Sequence, residues 1–240
     1  MSPFVTYIPN NGNGTAIVML NRPSKRNALS GEMQEALTEA FEKIRDDDSV
    51  KRVVLQAADL TNFCAGVDMH EMKQEMQLEG REAKDVNLQA SLRYANMLDT
   101  VASCGKPMIG IVSGSAIGAG TTLAALCDYV VAGDDTVFRY PERMMNLKPS
   151  VSAAYAVNRM GRDNALPLFS SGRKFTAAEA KTMKLVDETC PADKLRDRMQ
   201  TVISRFESRP LQRKPGNPTL SKVIGDREMD PKMVDLVDRM

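Results

Sequence analysis

Two short glycine-bearing stretches are the residues of this chain best suited to chemistry. One is Asn62-Phe63-Cys64-Ala65-Gly66-Val67-Asp68; the other is Ser113-Gly114-Ser115-Ala116-Ile117-Gly118-Ala119-Gly120. Each follows an apolar run that reads as a buried strand, and small residues at such turns let backbones approach closely. A helix beginning near Ala119 would aim unpaired N–H groups, and the positive end of its dipole, at whatever precedes it. Two turns after neighbouring strands can present two N–H groups to one oxygen, which is the requirement for an oxyanion hole. The second stretch is not a nucleotide signature. Its glycines are spaced four and then two, so it is not GxGxxG, and it lacks the GK[ST] ending of a phosphate loop.

Other reactive types give blander readings. The only histidine is His70, which excludes multi-histidine metal sites. Cys64, Cys104, Cys127 and Cys190 are scattered and form no CxxC pair, against a zinc site or a disulfide framework. No GxSxG elbow exists for a hydrolase, and a Cys64–His70 pairing is a weak alternative. Asp46-Asp47-Asp48 reads as a solvated turn, so no metal site is expected. Asp68 reads as a residue that stabilises its own turn.

The elements that must hold these turns are visible as periodicity. Thr15 to Leu20, Val53 to Ala57, Met108 to Val112 and Tyr129 to Ala132 read as strands, with Val137-Phe138 pairing nearby. Ser30 is a helix N-cap before the apolar spacing of Met33, Leu37, Ala40, Phe41 and Ile44. Residues 69 to 85 are charged and weakly patterned, a partly helical segment. Leu88, Leu92, Ala95, Leu98 and Ala102 predict one helical face. Thr121 to Cys127 predicts a buried helix, and Ser150 to Met160 another, stopped by Gly161. Thr176 and Glu179 form a capping box, and Leu195, Met199, Val202 and Phe206 an amphipathic helix. Residues 207 to 217 read as a linker before terminal helices marked by Leu220, Val223, Ile224, Met233, Leu236 and Val237. Strands alternate with helices to about residue 150 and helices dominate afterwards, an α/β pattern.

At this point the chain resembles the enoyl-CoA hydratase/isomerase (crotonase) superfamily. The resemblance rests on Asn21-Arg-Pro-Ser-Lys-Arg-Asn27-Ala28-Leu29, Phe63-Cys-Ala-Gly66-Val67-Asp68 and Gly114-Ser-Ala-Ile-Gly118-Ala119-Gly120. Cys127-Asp128, Tyr140-Pro141-Glu142 and Leu185-Val186-Asp187 follow in order. It covers about residues 4 to 195. It implies a crotonase-like spiral of ββα units over 1–195 and a C-terminal helical assembly region over 196–240. It also implies a homotrimer or dimer of trimers, and an acyl-CoA thioester as substrate. No separate cofactor is implied, since coenzyme A is part of that substrate. The oxyanion donors map to the backbone N–H groups of Val67 and Ala119. Lys25 and Arg26 map to the coenzyme A phosphates, and the backbone at Cys64 and Ala65 to its adenine. Arg22 belongs to the same basic turn.

The carboxylates decide the reaction. Family hydratases carry one glutamate after the second glycine turn and another at the Pro-Glu motif. Here the first position is Thr122 and the second is Glu142. One carboxylate suffices to move a double bond from position 3 to position 2, so Glu142 is the expected proton shuttle of an enoyl-CoA isomerase. Phe138, Met144 and Met145 are expected to provide apolar surroundings that raise its pKa. The alternatives are a hydratase or other crotonase reaction, and a non-catalytic acyl-CoA-binding pseudoenzyme. Asn146 stands where the family often has glycine.

Composition bounds the remainder. The chain has 240 residues and a formal net charge of +1, against a nucleic-acid binder. No basic-then-apolar leader opens it, no apolar run reaches the ~18 residues of a membrane span, and Asp238-Arg239-Met240 is not a peroxisomal tripeptide. The expectation is a soluble intracellular protein, cytoplasmic in preference, with no membrane partner.

Overall fold

A computed structural model of the chain describes residues 2–10, 12–76, 80–145 and 150–213. The chain opens with β1 (Val5–Ile8), β2 (Thr15–Leu20), α1 (Gly31–Asp46) and β3 (Arg52–Ala57). Ser30 caps α1 as expected, its hydroxyl accepting from the Met33 N–H at 3.3 Å. Two helices follow, α2 (Met69–Met76) and α3 (Gly80–Ser103), then β4 (Met108–Val112), β5 (Ser115–Ile117) and α4 (Ala119–Leu126). Next come β6 (Tyr129–Gly133), β7 (Val137–Arg139), α5 (Ser150–Met160) and α6 (Arg162–Ser171). The described chain closes with β8 (Lys174–Thr176), α7 (Ala177–Thr182), β9 (Glu188–Cys190) and α8 (Leu195–Ser208).

The strands form two sheets. The larger has the order β1-β2-β3-β4-β6-β9 and is parallel except for β1; the smaller has the order β5-β7-β8. Successive turns of the chain add a strand to the large sheet and then one to the small sheet, as β4 and β5 do, and then β6 and β7. This is a spiral repeat with no repeat in sequence.

A parallel sheet must be covered on both faces, and alternation along each strand does this here. Val53 and Leu55 face the core with α1, α3 and α4. Val54, Ile109, Ile111 and Val131 face the opposite side, where Leu195, Met199 and Val202 of α8 cover them.

Several expectations need correction. Ser113 to Gly120 is not all turn: Ser115–Ile117 is β5, because its backbone pairs in register with β7, Ala116 opposite Phe138. Helices do dominate after residue 150, but two short strands that the sequence reading did not give, β8 and β9, join the two sheets there. β1 and α6 have no counterpart in the sequence reading, and α6 contains Pro167. In α3, Leu98 and Ala102 are buried, but Leu88 and Leu92 are 55% and 52% exposed, so the apolar face narrows along the helix. Asn146 and the terminal helices predicted after residue 217 lie outside the described residues.

Candidate active site

The two glycine turns are zipped together by backbone hydrogen bonds. Phe63 N–H donates to Ser113 O at 2.9 Å, Cys64 N–H to Ser115 O at 3.1 Å, and Ile117 N–H to Cys64 O at 2.9 Å. Only glycine permits this approach. A Cβ on Gly114 would lie 1.9 Å from Thr61 O, and one on Gly120 would lie 2.3 Å from Cys64 O. Gly66 has φ +95°, and a Cβ there would lie 2.9 Å from Ile117 O and 3.8 Å from the Ala119 nitrogen.

The N–H of Val67 is turned toward that gap by the bridge behind it. Val67 sits opposite Leu29 in a parallel bridge. Such a bridge uses the groups flanking the bridging residue. Accordingly, Leu29 N–H donates to Gly66 O at 2.7 Å and Asp68 N–H donates to Leu29 O at 3.0 Å. Val67 N–H then points to the other side and donates to no described residue. Ala119 is the first residue of α4, where intrahelical bonding begins only when Thr122 N–H reaches Gly118 O at 3.0 Å. Its N–H is one of the unpaired donors of a helix start. Both groups can therefore stabilise one developing oxyanion.

Glu142 follows Pro141 and opens a single 3-10 turn, Glu142–Met145. Its Oε1 lies 3.6 Å from where a Cβ on Gly118 would be, so the carboxylate stands beside the Gly118–Ala119 peptide. Its Oε2 is buried and has no hydrogen-bond partner among the described residues. Burial pushes the carboxyl up from 4.5 to about 7. Among the described residues it forms no ion pair. Arg139 is turned away, its Nε donating to Gly172 O at 2.7 Å. The expected role of Met144 in the apolar surroundings does not hold. It is 65% exposed and packs beside Gly172 and Arg139. Phe138 is buried and stacks on Phe175.

Thr122 is fully buried, and its hydroxyl donates to Gly118 O at 3.2 Å. Two phenols belong to this neighbourhood: Tyr140, of the Tyr140-Pro141-Glu142 motif, and Tyr94 of α3, which the sequence reading did not single out. Tyr94 Oη lies 3.3 Å from Ser152 Oγ, and burial, with the Glu142 charge as a further cause, pushes both phenols up. No sequence signal marks Tyr94, because its partner Ser152 belongs to α5.

The basic turn is only partly available to a ligand. Lys25 and Arg26 have exposed side chains, and Arg26 O accepts from Ala65 N–H at 3.0 Å, which joins the two candidate ligand segments. Arg22 is not part of that exposed charge. It pairs with Asp68 at 2.6 Å and donates to Ala28 O at 3.0 Å. Asp68 also accepts from His70 N–H at 2.9 Å, so it stabilises its turn. The N–H and C=O of Cys64 are both used inside the fold, which leaves the Ala65 carbonyl as the acceptor of that pair without a described donor. The buried Cys64 thiol is pushed up to about 12 by desolvation, and His70 is exposed beside Gln74. A Cys64–His70 nucleophile pair has no support in this arrangement. Among the described residues no group of three or more His, Cys, Asp or Glu could hold a metal ion. None of the described helices is long and apolar enough to cross a membrane.

Two other motifs serve the scaffold. Asp128 accepts from Met108 N–H at 2.8 Å. Asp187 accepts from Val130 N–H at 2.8 Å and from Arg159 at 2.5 Å.

Comparison with known proteins shows the family and the fold. A family model described as enoyl-CoA hydratase/isomerase matches residues 10–213. The Bacillus subtilis protein YngF is 33% identical over 183 residues, which are 74% of this chain and 66% of that protein. The 2,3-dehydroadipyl-CoA hydratase of Escherichia coli K12 is 32% identical over 178 residues, 74% of this chain and 66% of that protein. The chain thus spans just under two-thirds of the length of both. The crystal structure of an enoyl-CoA hydratase from Mycobacterium smegmatis superposes with a TM-score of 0.77 at 27% identity, covering 99% of this chain and 89% of that one. With a family model matched over most of its length and the same spiral fold in its structural neighbours, the chain belongs to the enoyl-CoA hydratase/isomerase family and has the crotonase fold.

Proposed function

We propose that this protein is an enoyl-CoA isomerase that moves a double bond from position 3 to position 2 of an acyl-CoA thioester. The observation that carries the reading is the buried Glu142 carboxylate beside the Gly118–Ala119 turn, unpaired among the described residues, with Thr122 at the other family position. The thioester oxygen accepts from the N–H groups of Val67 and Ala119. Glu142 takes the C2 proton, and the electron pair moves into a dienolate held at that oxygen. Glu142 returns the proton to C4 and the double bond settles between C2 and C3. A group that serves as base and then acid works best with a pKa near the working pH, and burial supplies this. Lys25 and Arg26 meet the phosphates of coenzyme A, and the Cys64–Ala65 segment meets its adenine through the Ala65 carbonyl. Assembly into a trimer or dimer of trimers accompanies this reading.

The free enzyme must start with Glu142 ionised. Isomerase kcat/KM should therefore rise with pH, with a midpoint at about 7, and stay level above it. A rate independent of pH from about 5 to 9 would remove Glu142 as the base.

The names of relatives such as the Escherichia coli protein favour a second reading, hydration. One panel separates the two: 3-enoyl- and 2-enoyl-CoA esters of several chain lengths, followed for double-bond migration and for water addition. Migration without water addition is the expected result. Water addition as the faster reaction would replace the isomerase assignment, and binding without either would leave an acyl-CoA-binding protein. Thr122→Glu should introduce water addition at a rate at least tenfold above the parent, because it restores paired carboxylates (roughly 10²-fold is available from one such group).

A further inference from the structure

One buried side chain, Asn27, joins the basic turn to the first glycine turn. Arg26 and Asn27 both have left-handed backbones, with φ of +50° and +54°, a conformation that asparagine tolerates better than most residues. The pair reverses the chain after the 3-10 turn Pro23–Lys25. Lys25 and Arg26 are thereby left exposed, while Asn27 is 1% exposed. Both ends of the Asn27 amide are used. Its Oδ1 accepts from Arg22 N–H at 2.7 Å, and its Nδ2 donates to Asn62 O at 2.7 Å. The amide fits only this way round, since Arg22 N–H can only donate and Asn62 O can only accept.

Asn62 is where the two glycine turns meet. Its Oδ1 accepts from Ser115 Oγ at 2.9 Å, and the next residue, Phe63, donates its N–H to Ser113 O at 2.9 Å. Asn27 thus ties the turn that carries the exposed cations to the point from which the Cys64–Asp68 segment departs. Two further links join the same segments: Ala65 N–H to Arg26 O at 3.0 Å, and Arg22 to Asp68 at 2.6 Å. The glycine turns hold each other without Asn27, through Cys64 N–H to Ser115 O at 3.1 Å and Ile117 N–H to Cys64 O at 2.9 Å. Loss of the amide therefore frees the basic turn and leaves the oxyanion turns paired.

We propose that Asn27 is a positioning residue, which sets the Lys25–Arg26 turn in register with the two oxyanion donors so that one acyl-CoA seats its phosphates and its thioester oxygen together. This rests on the acyl-CoA reading of the site, with Lys25 and Arg26 as phosphate ligands. Binding energy from a remote part of a substrate serves the reacting end only when both ends are held at once.

Calorimetric titration with hexanoyl-CoA and hexanoyl-pantetheine tests this. The second ester lacks the nucleotide end, and neither has a double bond to move, so the result does not depend on the isomerase assignment. The parent should bind the CoA ester at least about tenfold more tightly, the worth of one charge-assisted hydrogen bond to phosphate. Asn27→Gly keeps the left-handed backbone and removes both amide bonds. In it the preference should fall to within about threefold of unity, while affinity for the pantetheine ester stays within about threefold of the parent's. Asn27→Ala should behave alike and leaves a smaller void. A thermal melt checks each variant, so misfolding of one leaves the other as the test. Parallel weakening of both esters would make Asn27 a purely structural residue and overturn the proposal, as would an unchanged preference in a folded variant. Equal affinities of the parent for the two esters would instead overturn the placement of coenzyme A on Lys25 and Arg26.

Discussion

Glu142→Gln should lower isomerase kcat by about 10³-fold while acyl-CoA affinity stays within a few-fold of the parent. General acid–base groups contribute typically 10²–10⁴-fold, and the amide can neither take the C2 proton nor return one to C4. The substitution preserves shape and removes only the titratable proton. It should also change stability in a way that only a buried carboxyl can. The folded-state pKa is about 7 against an ordinary 4.5. Between those values the folded chain holds a proton that the unfolded chain has released, so stability falls as pH rises through this window. Above pH 7 the full penalty of the buried charge is present, about 1–3 kcal/mol after allowance for partial solvation. Glutamine carries no such penalty. Glu142→Gln should therefore melt at the same temperature as the parent near pH 4.5 and several degrees higher near pH 8. Equal melting at both pH values, or retained turnover, would place Glu142 outside the chemistry.

Legibility of the fold followed how local each signal was. Ser30 and the Thr176–Glu179 box could be read because capping is decided within four residues, and both caps form as expected. The glycines at 66, 114, 118 and 120 could be read as close-approach points, yet which backbone approaches which is a tertiary fact. Nothing local predicts that Gly114 meets Thr61, or that β5 forms inside a small-residue stretch because β7 pairs with it. Leu88 and Leu92 have the spacing of a core face and are exposed, because spacing describes a helix and not how far its neighbours extend. The same distinction divides the basic turn. Arg22, Lys25 and Arg26 look equivalent in sequence, but Arg22 is tied to Asp68, 46 positions away. Tyr94 was invisible for that reason too: its partner Ser152 is 58 positions distant, and a lone tyrosine in a charged helix carries no mark of a site.

Gly120→Ala should cost the enzyme at least 10²-fold in kcat/KM, and more than its loss of stability accounts for. The new methyl would lie 2.3 Å from Cys64 O and 2.8 Å from Cys64 Cβ. The first of these is backbone, so no rotamer change relieves the contact, and α4 and the Cys64–Val67 segment must separate. That movement strains the Ile117-to-Cys64 hydrogen bond and opens the gap between Val67 N–H and Ala119 N–H. Donors must lie about 2.7–3.1 Å from the oxyanion, and a displacement of about 1 Å is enough for a 10²-fold loss. Overpacking of this kind also destabilises by about 1–3 kcal/mol, which lowers the melting temperature of a domain this size by several degrees. Gly110→Ala provides the comparison. Its methyl would meet the Cys127 side chain, with Sγ at 2.8 Å, in the core and away from both turns. It should lower the melting temperature comparably and leave kcat/KM within about threefold, since crowding there does not reach the donors. Equal activity losses in the two variants would mean that the turns respond to general destabilisation. A loss confined to Gly120→Ala ties the rate to the spacing of two backbone N–H groups, which no side-chain substitution at Val67 or Ala119 can test as directly.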